Sequence, residues 1–245
     1  MENTSLIALS RQSVLRRQMD VIANNVANMN TTGFKGEKMM FIEDLVKSRG
    51  GDRTRFENLA FVRDIATVRD TREGPLKQTS NPLDLAVGGE GYFVINTEDG
   101  ERYTRNGNFR LDQTGQLVTQ SGEPVASDAG EPFFFSPADR EITISRDGSV
   151  STENGALGKI KVVKFENQQA LRAIADGLYA SDQAGEVVER ADVVQGMLEG
   201  SNINPINEMT EMIMVQKAYE GASKLIEREN ERMQRAIREL GSPAQ

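Results

Sequence analysis

The sequence predicts an α+β protein in which both ends of the chain form long helices and the middle is rich in β-strands. Apolar residues near the start follow steps of four and three: Leu15, Met19, Ile22, Val26 and Met29. Near the end the same steps recur, with one polar break at Glu229: Met212, Val215, Tyr219, Ala222, Ile226, Met233, Ala236 and Leu240. Such a seam lies on one side of a helix, so we predict helices over residues 3–29 and 205–240.

The two predicted helices are too long to bury their seams on one small domain. At a rise of about 1.5 Å per residue, the first would be about 40 Å long and the second about 54 Å. Asn204 is a good N-cap and Pro205 suits the first helical position, which supports this start for the second helix. We therefore expect the two helices to pair with each other as a coiled-coil-like domain, or to pack on other subunits.

The end of the first helix is rich in asparagine, at Asn24, Asn25, Asn28 and Asn30. Asparagine is a weak helix former, so this composition calls for an explanation. One interpretation is a polar helix end that is capped near Asn30 and stops at residues 31–33. The other is that the amides hydrogen-bond to neighbouring chains, and the residues favour neither interpretation.

Residues 34–80 show no clean period and are predicted to form a connector. Its apolar residues fit a short helix or a loop: Phe34, Met39, Met40, Phe41 and Leu45. Residues 61–68 could form a strand. The basic stretch between Arg49 and Arg72 is interleaved with acids, which indicates a mixed-charge surface or a subunit contact.

From Leu83 onward the pattern is typical of β-structure. Residues 92–95 form a short apolar run, and Asn106-Gly107 is a strong hairpin signal between residues 102–105 and 108–111. Short strands with frequent turn signals suggest a small sandwich or barrel-like domain. We thus predict a terminal helical domain over residues 1–33 and 203–245, a connector over 34–80 and 186–202, and a β-rich outer domain over 81–185.

Composition excludes several classes of function. The 245-residue chain carries a net charge of −8, which argues against general nucleic-acid binding. It has no cysteine and no histidine, so disulfides, thiolate nucleophiles, imidazole bases and the usual zinc sites are excluded. No apolar run is long enough to cross a membrane, and we expect neither membrane insertion nor a cleavable signal peptide. The glycine-rich residues 88–91 precede a strand, so we interpret them as a turn and not as a phosphate loop.

Three stretches resemble the rod and hook proteins of the bacterial flagellum. Residues 23–35 are similar to the signature of the axial flagellar proteins. Residues 81–93 and 103–109 are similar to the start of the β domain in rod and hook subunits. Residues 195–204 and 208–220 are similar to the C-terminal signature. The three motifs occur in the family's order and span nearly the whole chain.

This resemblance implies a structural protein without catalytic residues or cofactors. Such subunits assemble helically with themselves and with other rod proteins, and the rod transmits torque from the motor to the hook and filament. The resemblance also implies export by the flagellar type III apparatus and a place in the basal-body rod, in the periplasmic space. The terminal helices would form the inner domain. The N-terminal residues 2–12 favour the proximal rod over the alternative of a distal-rod or hook subunit.

The seams and the asparagine cluster are the candidate assembly interface. We expect contacts with neighbouring subunits from Leu15, Met19, Ile22, Asn24, Asn25, Val26, Asn28, Met212, Val215, Gln216, Tyr219, Ala222, Ile226 and Met233. A less favoured alternative is a binding module in which the helices form a stalk for the β domain.

Overall fold

The computed structural model describes residues 2–48, 57–137, 139 and 141–241, which fall into two compact units. The helical unit comprises Met1–Ala27, Glu37–Arg69 and Asn204–Gln245. The β unit comprises Asn28–Gly36 and Asp70–Ile203. The chain is therefore of the predicted α+β class. No helix in the described part of the chain is both long and apolar enough to cross a membrane.

Both predicted helices are confirmed. Helix α1 spans Glu2–Ala27 and helix α2 spans Pro205–Gly241. Asn204 caps α2 as expected: its Oδ1 accepts hydrogen bonds from the backbone N–H groups of Ile206 and Asn207, at 3.1 and 3.3 Å. This cap satisfies two of the backbone donors that a helix start leaves without a partner.

Residues 37–69 form a long hairpin, so the prediction of a short helix or loop near Met39 and Leu45 is wrong. Strand β1 (Glu37–Ser48) pairs antiparallel with β2 (Glu57–Arg69), from Glu37↔Arg69 to Ser48↔Glu57. Both strands pack against α1, which places them in the helical unit and not in a connector. The hairpin was missed because a bulge between Met40 and Phe41 interrupts the period of two. The predicted strand at residues 61–68 is confirmed, whereas residues 49–56 lie outside the described part.

The β unit contains fifteen short strands in the described residues. They are β3 (Leu76–Gln78), β4 (Leu85–Gly88), β5 (Tyr92–Thr97), β6 (Gly100–Thr104), β7 (Arg110–Leu111), β8 (Leu117–Val118), β9 (Ile142–Ile144), β10 (Ser149–Thr152), β11 (Gly155–Lys159), β12 (Val162–Lys164), β13 (Arg172–Ala173), β14 (Leu178–Ala180), β15 (Glu186–Val187), β16 (Asp192–Gln195) and β17 (Met197–Glu199). A six-stranded sheet has the order β13-β14-β6-β5-β12-β15, and a three-stranded sheet the order β11-β10-β9. The remaining strands pair as β16-β4, β17-β3 and β7-β8.

Strand β5 is the centre of the β unit and is buried on both of its faces. Phe93 and Ile95 belong to one apolar cluster, while Tyr92 and Val94 belong to a second cluster on the opposite face. Successive residues of a strand point to opposite faces, so a strand covered on both sides needs a continuous apolar run. This explains why residues 92–95 are apolar without alternation.

The predicted hairpin at Asn106-Gly107 is wrong. Strand β6 pairs with β5 and β14, and residues 110–111 pair instead with β8. Gly107 is needed for a close approach: a Cβ there would lie 1.8 Å from the carbonyl oxygen of Leu85, and the Leu85 N–H donates to the Gly107 carbonyl at 3.0 Å. The glycine that resembles a turn signal thus serves packing against β4.

Candidate assembly interface

Helices α1 and α2 run antiparallel in the helical unit. Near one end of the pair, Asn25 of α1 donates from Nδ2 to Glu208 Oε2 of α2 at 3.1 Å. One turn further along α2, Gln18 Nε2 donates to Glu211 Oε1 at 3.1 Å. Toward the other end, Ala8 and Ala222 line the same groove. The helices therefore cover part of each other's seams within a single chain.

Most of the predicted α2 interface lies on one buried row. Val215 and Ala222 are buried, and the half-buried members of the predicted set are Met212, Tyr219, Ile226 and Met233. Gln216 is exposed. Among the α2 side chains that the structure describes, the buried ones are Glu208, Val215 and Ala222. They are seven residues apart, which is the period of a helix that packs along a partner helix.

The predicted α1 interface is only partly on the buried side of that helix. Ile22 and Asn25 are buried, at 3% and 2% exposure. The half-buried members are Leu15, Met19, Val26 and Asn28, and Asn24 is exposed. The residues missed by the seam are Ala8 and Val14, which are buried. The buried stripe of α1 is displaced by about one residue from the predicted seam. Alanine at position 8 is too weakly apolar to reveal this displacement in the sequence. A role for any of these residues as contacts to neighbouring subunits stays a prediction.

Asn25 connects three elements of the helical unit. Besides its bond to Glu208, its Nδ2 donates to the Glu37 carbonyl at 2.8 Å, and its Oδ1 accepts from the Glu37 N–H at 3.0 Å. The amide thus pairs with the first residue of β1 much as a neighbouring strand would. Asn25 therefore fits neither open interpretation of the cluster, because its amide is used inside the chain. Asn28 serves the turn after α1, where its Oδ1 accepts from Thr31 Oγ1 at 3.1 Å.

A second apolar row of α2 faces away from α1. Ile206, Met209 and Ile213 are 75%, 58% and 52% exposed. Ile213 precedes the buried Val215 by two residues, which is about 200° around a helix. The first turns of α2 are thus apolar on two opposite sides. Ile206, Met209 and Ile213 are spaced by three and four residues, so the sequence did contain a signal for this second row. The buried row has the same spacing, and the prediction of the interface selected that row instead.

The segments that adjoin the two helices are held together inside the β unit by a buried ionic cluster. Lys35 Nζ donates to Glu199 Oε1 at 2.5 Å and to the Arg72 carbonyl at 2.8 Å. The Gly33 N–H donates to the Glu199 carbonyl at 2.8 Å. Burial lowers the pKa of Lys35, while the hydrogen bond and the charge of Glu199 act in the opposite direction.

Arg105 completes this cluster. Its guanidinium donates to the carbonyls of Val87 and Gly89 at 3.0 and 2.7 Å. Its Nε lies 3.6 Å from Glu199 Oε2, and neither of these buried atoms has a hydrogen-bond partner in the structure. Lys35 and Arg105 both belong to the stretches that resemble the axial proteins. In the described residues no group of acidic side chains is arranged to hold a metal ion.

Comparison with known proteins gives matches along most of the chain. Three family models match: "Flagella basal body rod protein" over residues 6–35, "Flagellar hook protein FlgE/F/G D1 domain" over 86–152, and "Flagellar basal body rod FlgEFG protein C-terminal" over 194–239. The chain is 37% identical to the flagellar basal-body rod protein FlgF of Caulobacter vibrioides, over 98% of this chain and 99% of that protein. It is 34% identical to FlgF of Mesorhizobium japonicum, over 99% of both chains. It is also 34% identical to the rod protein FlgG of Bacillus subtilis, over 94% of this chain and 96% of the relative.

Proposed function

Because this chain belongs to the flagellar basal-body rod family and is a structural subunit of that rod, we propose that it builds the proximal part of the rod by helical assembly. It assembles with other axial flagellar proteins in the flagellar basal body. Its relatives are structural rod proteins, a class that is not enzymatic. Copies of the chain and other rod proteins would be its neighbours, and head-to-tail contacts between them would propagate a helix.

One observation carries this proposal: α2 is apolar on two opposite sides at its start. The buried row with Val215 is covered by α1, whereas the row with Ile206 and Ile213 is exposed. A monomeric protein gains nothing from such a row, because exposed apolar side chains cost hydration free energy. A neighbouring subunit that covers the row would recover roughly 1.5–3 kcal/mol for each large side chain that becomes fully buried.

We assign a separate role in the rod to each of the two units. The helical unit would form the inner, coiled-coil-like domain around the rod axis, and the β unit would lie outside. Long helices packed along an axis resist twisting through many parallel contacts, which suits transmission of torque from the motor to the hook and filament. Residues 81–185 of the predicted outer domain all belong to the β unit, which supports their treatment as one domain.

We also propose that the flagellar type III apparatus exports the chain to the periplasmic space. An unfolded chain passes a narrow channel, and its terminal helices then become ordered on the growing rod. The exposed row of α2 supports this order of events, because its burial would repay the entropy of ordering only at the assembly site.

A distal-rod subunit is the second candidate. The likeness to a FlgG protein over nearly the whole chain supports it, although the two FlgF relatives align over 98–99% of this chain with almost no unmatched residues. Rod assembly in strains that lack single rod genes distinguishes the two positions. A proximal subunit is required before any distal-rod protein is incorporated.

The exposed row of α2 is tested by replacing one of its isoleucines with glutamate. Ile213→Glu should abolish motility and rod growth, while the purified chain keeps its helix content because the side chain is already 52% exposed. Ile174→Glu is the matched control, since Ile174 is 43% exposed in the β unit. Motile cells carrying Ile213→Glu would overturn the assignment of this row. The exposed row of α2 is better suited to this test than Tyr219, because Tyr219 is half-buried on the side of α2 that faces α1.

A further inference from the structure

The β unit contains both Asn-Gly dipeptides of the chain, Asn106-Gly107 and Asn154-Gly155. Asparagine is chemically among the least durable residues. Its side-chain amide reacts with the backbone nitrogen of the next residue, and a glycine there puts no Cβ in the way of the attack. The reaction needs the two residues to turn toward each other, so the surroundings of each dipeptide decide how fast it proceeds.

Asn106-Gly107 is held on several sides. Gly107 is buried, and its carbonyl accepts hydrogen bonds from the backbone N–H groups of Leu85 and Phe109, both at 3.0 Å. The side chain of Asn106 is engaged as well, because its Oδ1 accepts from the Asn108 N–H at 3.1 Å. Since a Cβ at Gly107 would already overlap the Leu85 carbonyl, the backbone there has no room to turn. The fold therefore protects Asn106.

Asn154-Gly155 lies in an open turn. Glu153 and Asn154 join β10 to β11, and both are exposed, as is Gly155. A Cβ added at Gly155 would meet no atom within 4 Å. The Thr152↔Gly155 pair is the last of its ladder, and β11 is an edge strand of the three-stranded sheet. Such an end opens at a much lower cost than the interior of a sheet.

One contact restrains the amide of Asn154. Its Nδ2 donates to Asp139 Oδ1 at 2.5 Å, while the Ser136 N–H donates to Asp139 Oδ2 at 2.7 Å. Above all, the bond from Asn154 lowers the pKa of Asp139 below the usual 3.8, so this carboxylate is charged at neutral pH. Because the amide must leave Asp139 before its carbon can reach the nitrogen of Gly155, the hydrogen bond slows the reaction without preventing it.

We propose that Asn154 is a site of spontaneous deamidation, and that its contact with Asp139 sets the rate. The Gly155 nitrogen attacks Asn154 Cγ, the new C–N bond closes a succinimide ring, and the bond from Cγ to Nδ2 breaks. Ammonia leaves with the proton of the Gly155 N–H. Water then opens the ring at either carbonyl carbon, which gives aspartate or isoaspartate at position 154. No group is oxidised or reduced.

The product carries a carboxylate where the amide donated a hydrogen bond to Asp139. Two like charges then face each other, and the contact between the β10–β11 turn and the segment around Asp139 is lost. The β unit thus becomes more acidic as the chain ages, which matters for a subunit that stays in an assembled structure. The proposal goes beyond the proposed function and does not rest on it, because every residue involved belongs to the β unit of a single chain.

The experiment follows the amide of both asparagines in the full-length chain. The folded chain, and the same chain unfolded in guanidinium, are kept in a mildly alkaline buffer, and peptides from timed samples are analysed by mass spectrometry. In guanidinium both asparagines should convert at similar rates. In the folded chain Asn154 should convert at least about ten times faster than Asn106. Equal rates at the two sites of the folded chain, or an Asn154 that stays intact, would overturn the proposal.

Substitutions at position 139 test the restraint in the same assay. Asp139→Ala frees the amide and should raise the rate at Asn154 about fivefold, the factor that one typical net hydrogen bond corresponds to. Asp139→Asn keeps an oxygen that accepts from Asn154 Nδ2 and should keep the parent rate. Asp128→Ala removes an exposed aspartate of the same unit and is the matched control, which should also keep it. A rate that Asp139→Ala leaves unchanged would contradict the restraint.

Discussion

Lys35 and Glu199 are 164 positions apart in the chain, and their side chains form an ion pair of 2.5 Å with only 1% of each exposed. Glu199 immediately precedes the segment that leads into α2, and Lys35 belongs to the segment that follows α1. Two charges removed from water are tolerated only if they are paired and hydrogen-bonded. The pair therefore holds the two segments together, because any arrangement that separates them leaves a buried charge without its partner.

Loss of the Lys35 ammonium should destabilise the β unit strongly. Lys35→Met leaves the buried Glu199 carboxylate with the Gly74 N–H, which donates to Oε1 at 3.0 Å, and with Arg105 at 3.6 Å from Oε2, and we expect a loss of about 3–5 kcal/mol in the free energy of unfolding. Three of the four tyrosines, Tyr92, Tyr103 and Tyr179, belong to the β unit, so tyrosine fluorescence during urea denaturation reports on it.

Lys164→Met is the matched control for that experiment. Lys164 pairs with Glu186 at 3.1 Å, but the two side chains are 47% and 74% exposed. Exposed pairs contribute about 0–1 kcal/mol, so its transition should hardly move. Equal effects of the two lysine substitutions would contradict the role of burial.

Acid should destabilise the β unit partly through Asp112. The backbone N–H of Gln116 and then the hydroxyl of Thr114 donate to this carboxylate and lower its pKa from the usual 3.8. The folded state thus binds fewer protons than the unfolded state, so the stabilisation is present above pH 3.8 and is lost as the pH falls through the lowered pKa.

The measurement compares Asp112→Asn with the parent chain by urea denaturation at several pH values. The difference in the free energy of unfolding should be largest near neutral pH and shrink below pH 3.8. A gap between Asp112→Asn and the parent chain that does not change with pH would refute the explanation.

Asn25 should be the most sensitive asparagine of its cluster. Asn25→Ala removes the partner of both backbone groups of Glu37 and one partner of Glu208, and we expect a loss of about 2–4 kcal/mol. Asn30→Ala changes an exposed asparagine of the same cluster and should stay within about 0.5 kcal/mol. Far-UV circular dichroism during thermal unfolding gives both values, and a tolerant Asn25 would contradict the role of its amide.

Gly221 and Gly33 should respond in opposite directions to alanine. At Gly221, which is exposed within α2, an added Cβ meets nothing, so Gly221→Ala should stabilise the helical unit by about 0.8–1 kcal/mol. Gly33 has a φ of +70°, and a Cβ there would lie 2.6 Å from the Arg105 carbonyl carbon. Gly33→Ala should therefore cost more than about 1 kcal/mol. Thermal unfolding of both variants checks the pair, and a shift of the same sign in both would contradict it.

Helices were predictable from the sequence because their signals are local. The seams have a period that only a helix satisfies, and Asn204-Pro205 marks the start of α2 within the same few residues that form it. The apolar run at residues 92–95 likewise indicated a strand with no exposed face. The three stretches that resemble axial proteins contain the end of α1, the start of α2 and part of the core of the β unit. The family was therefore identifiable from the sequence as well.

The hairpin at residues 37–69 and the role of Asn106-Gly107 were not predictable in this way. The bulge at Met40 breaks the period of the hairpin. Gly107 is part of a turn signal, yet glycine is required there because the carbonyl of Leu85, which is 22 positions away in the chain, lies too close for a side chain. In both cases a distant element decides which of several local conformations is formed.

The sequence by itself thus determined the helices, the β-rich middle and the family, since periodicity, caps and motif order are properties of neighbouring residues. Only the tertiary structure decided that α1 and α2 run antiparallel, that Asn25 pairs with Glu37, and that Lys35 reaches Glu199. The physical reason is that burial and ion pairing depend on which remote segments come into contact. A polar residue looks the same in the sequence whether water or a partner more than a hundred positions away satisfies it.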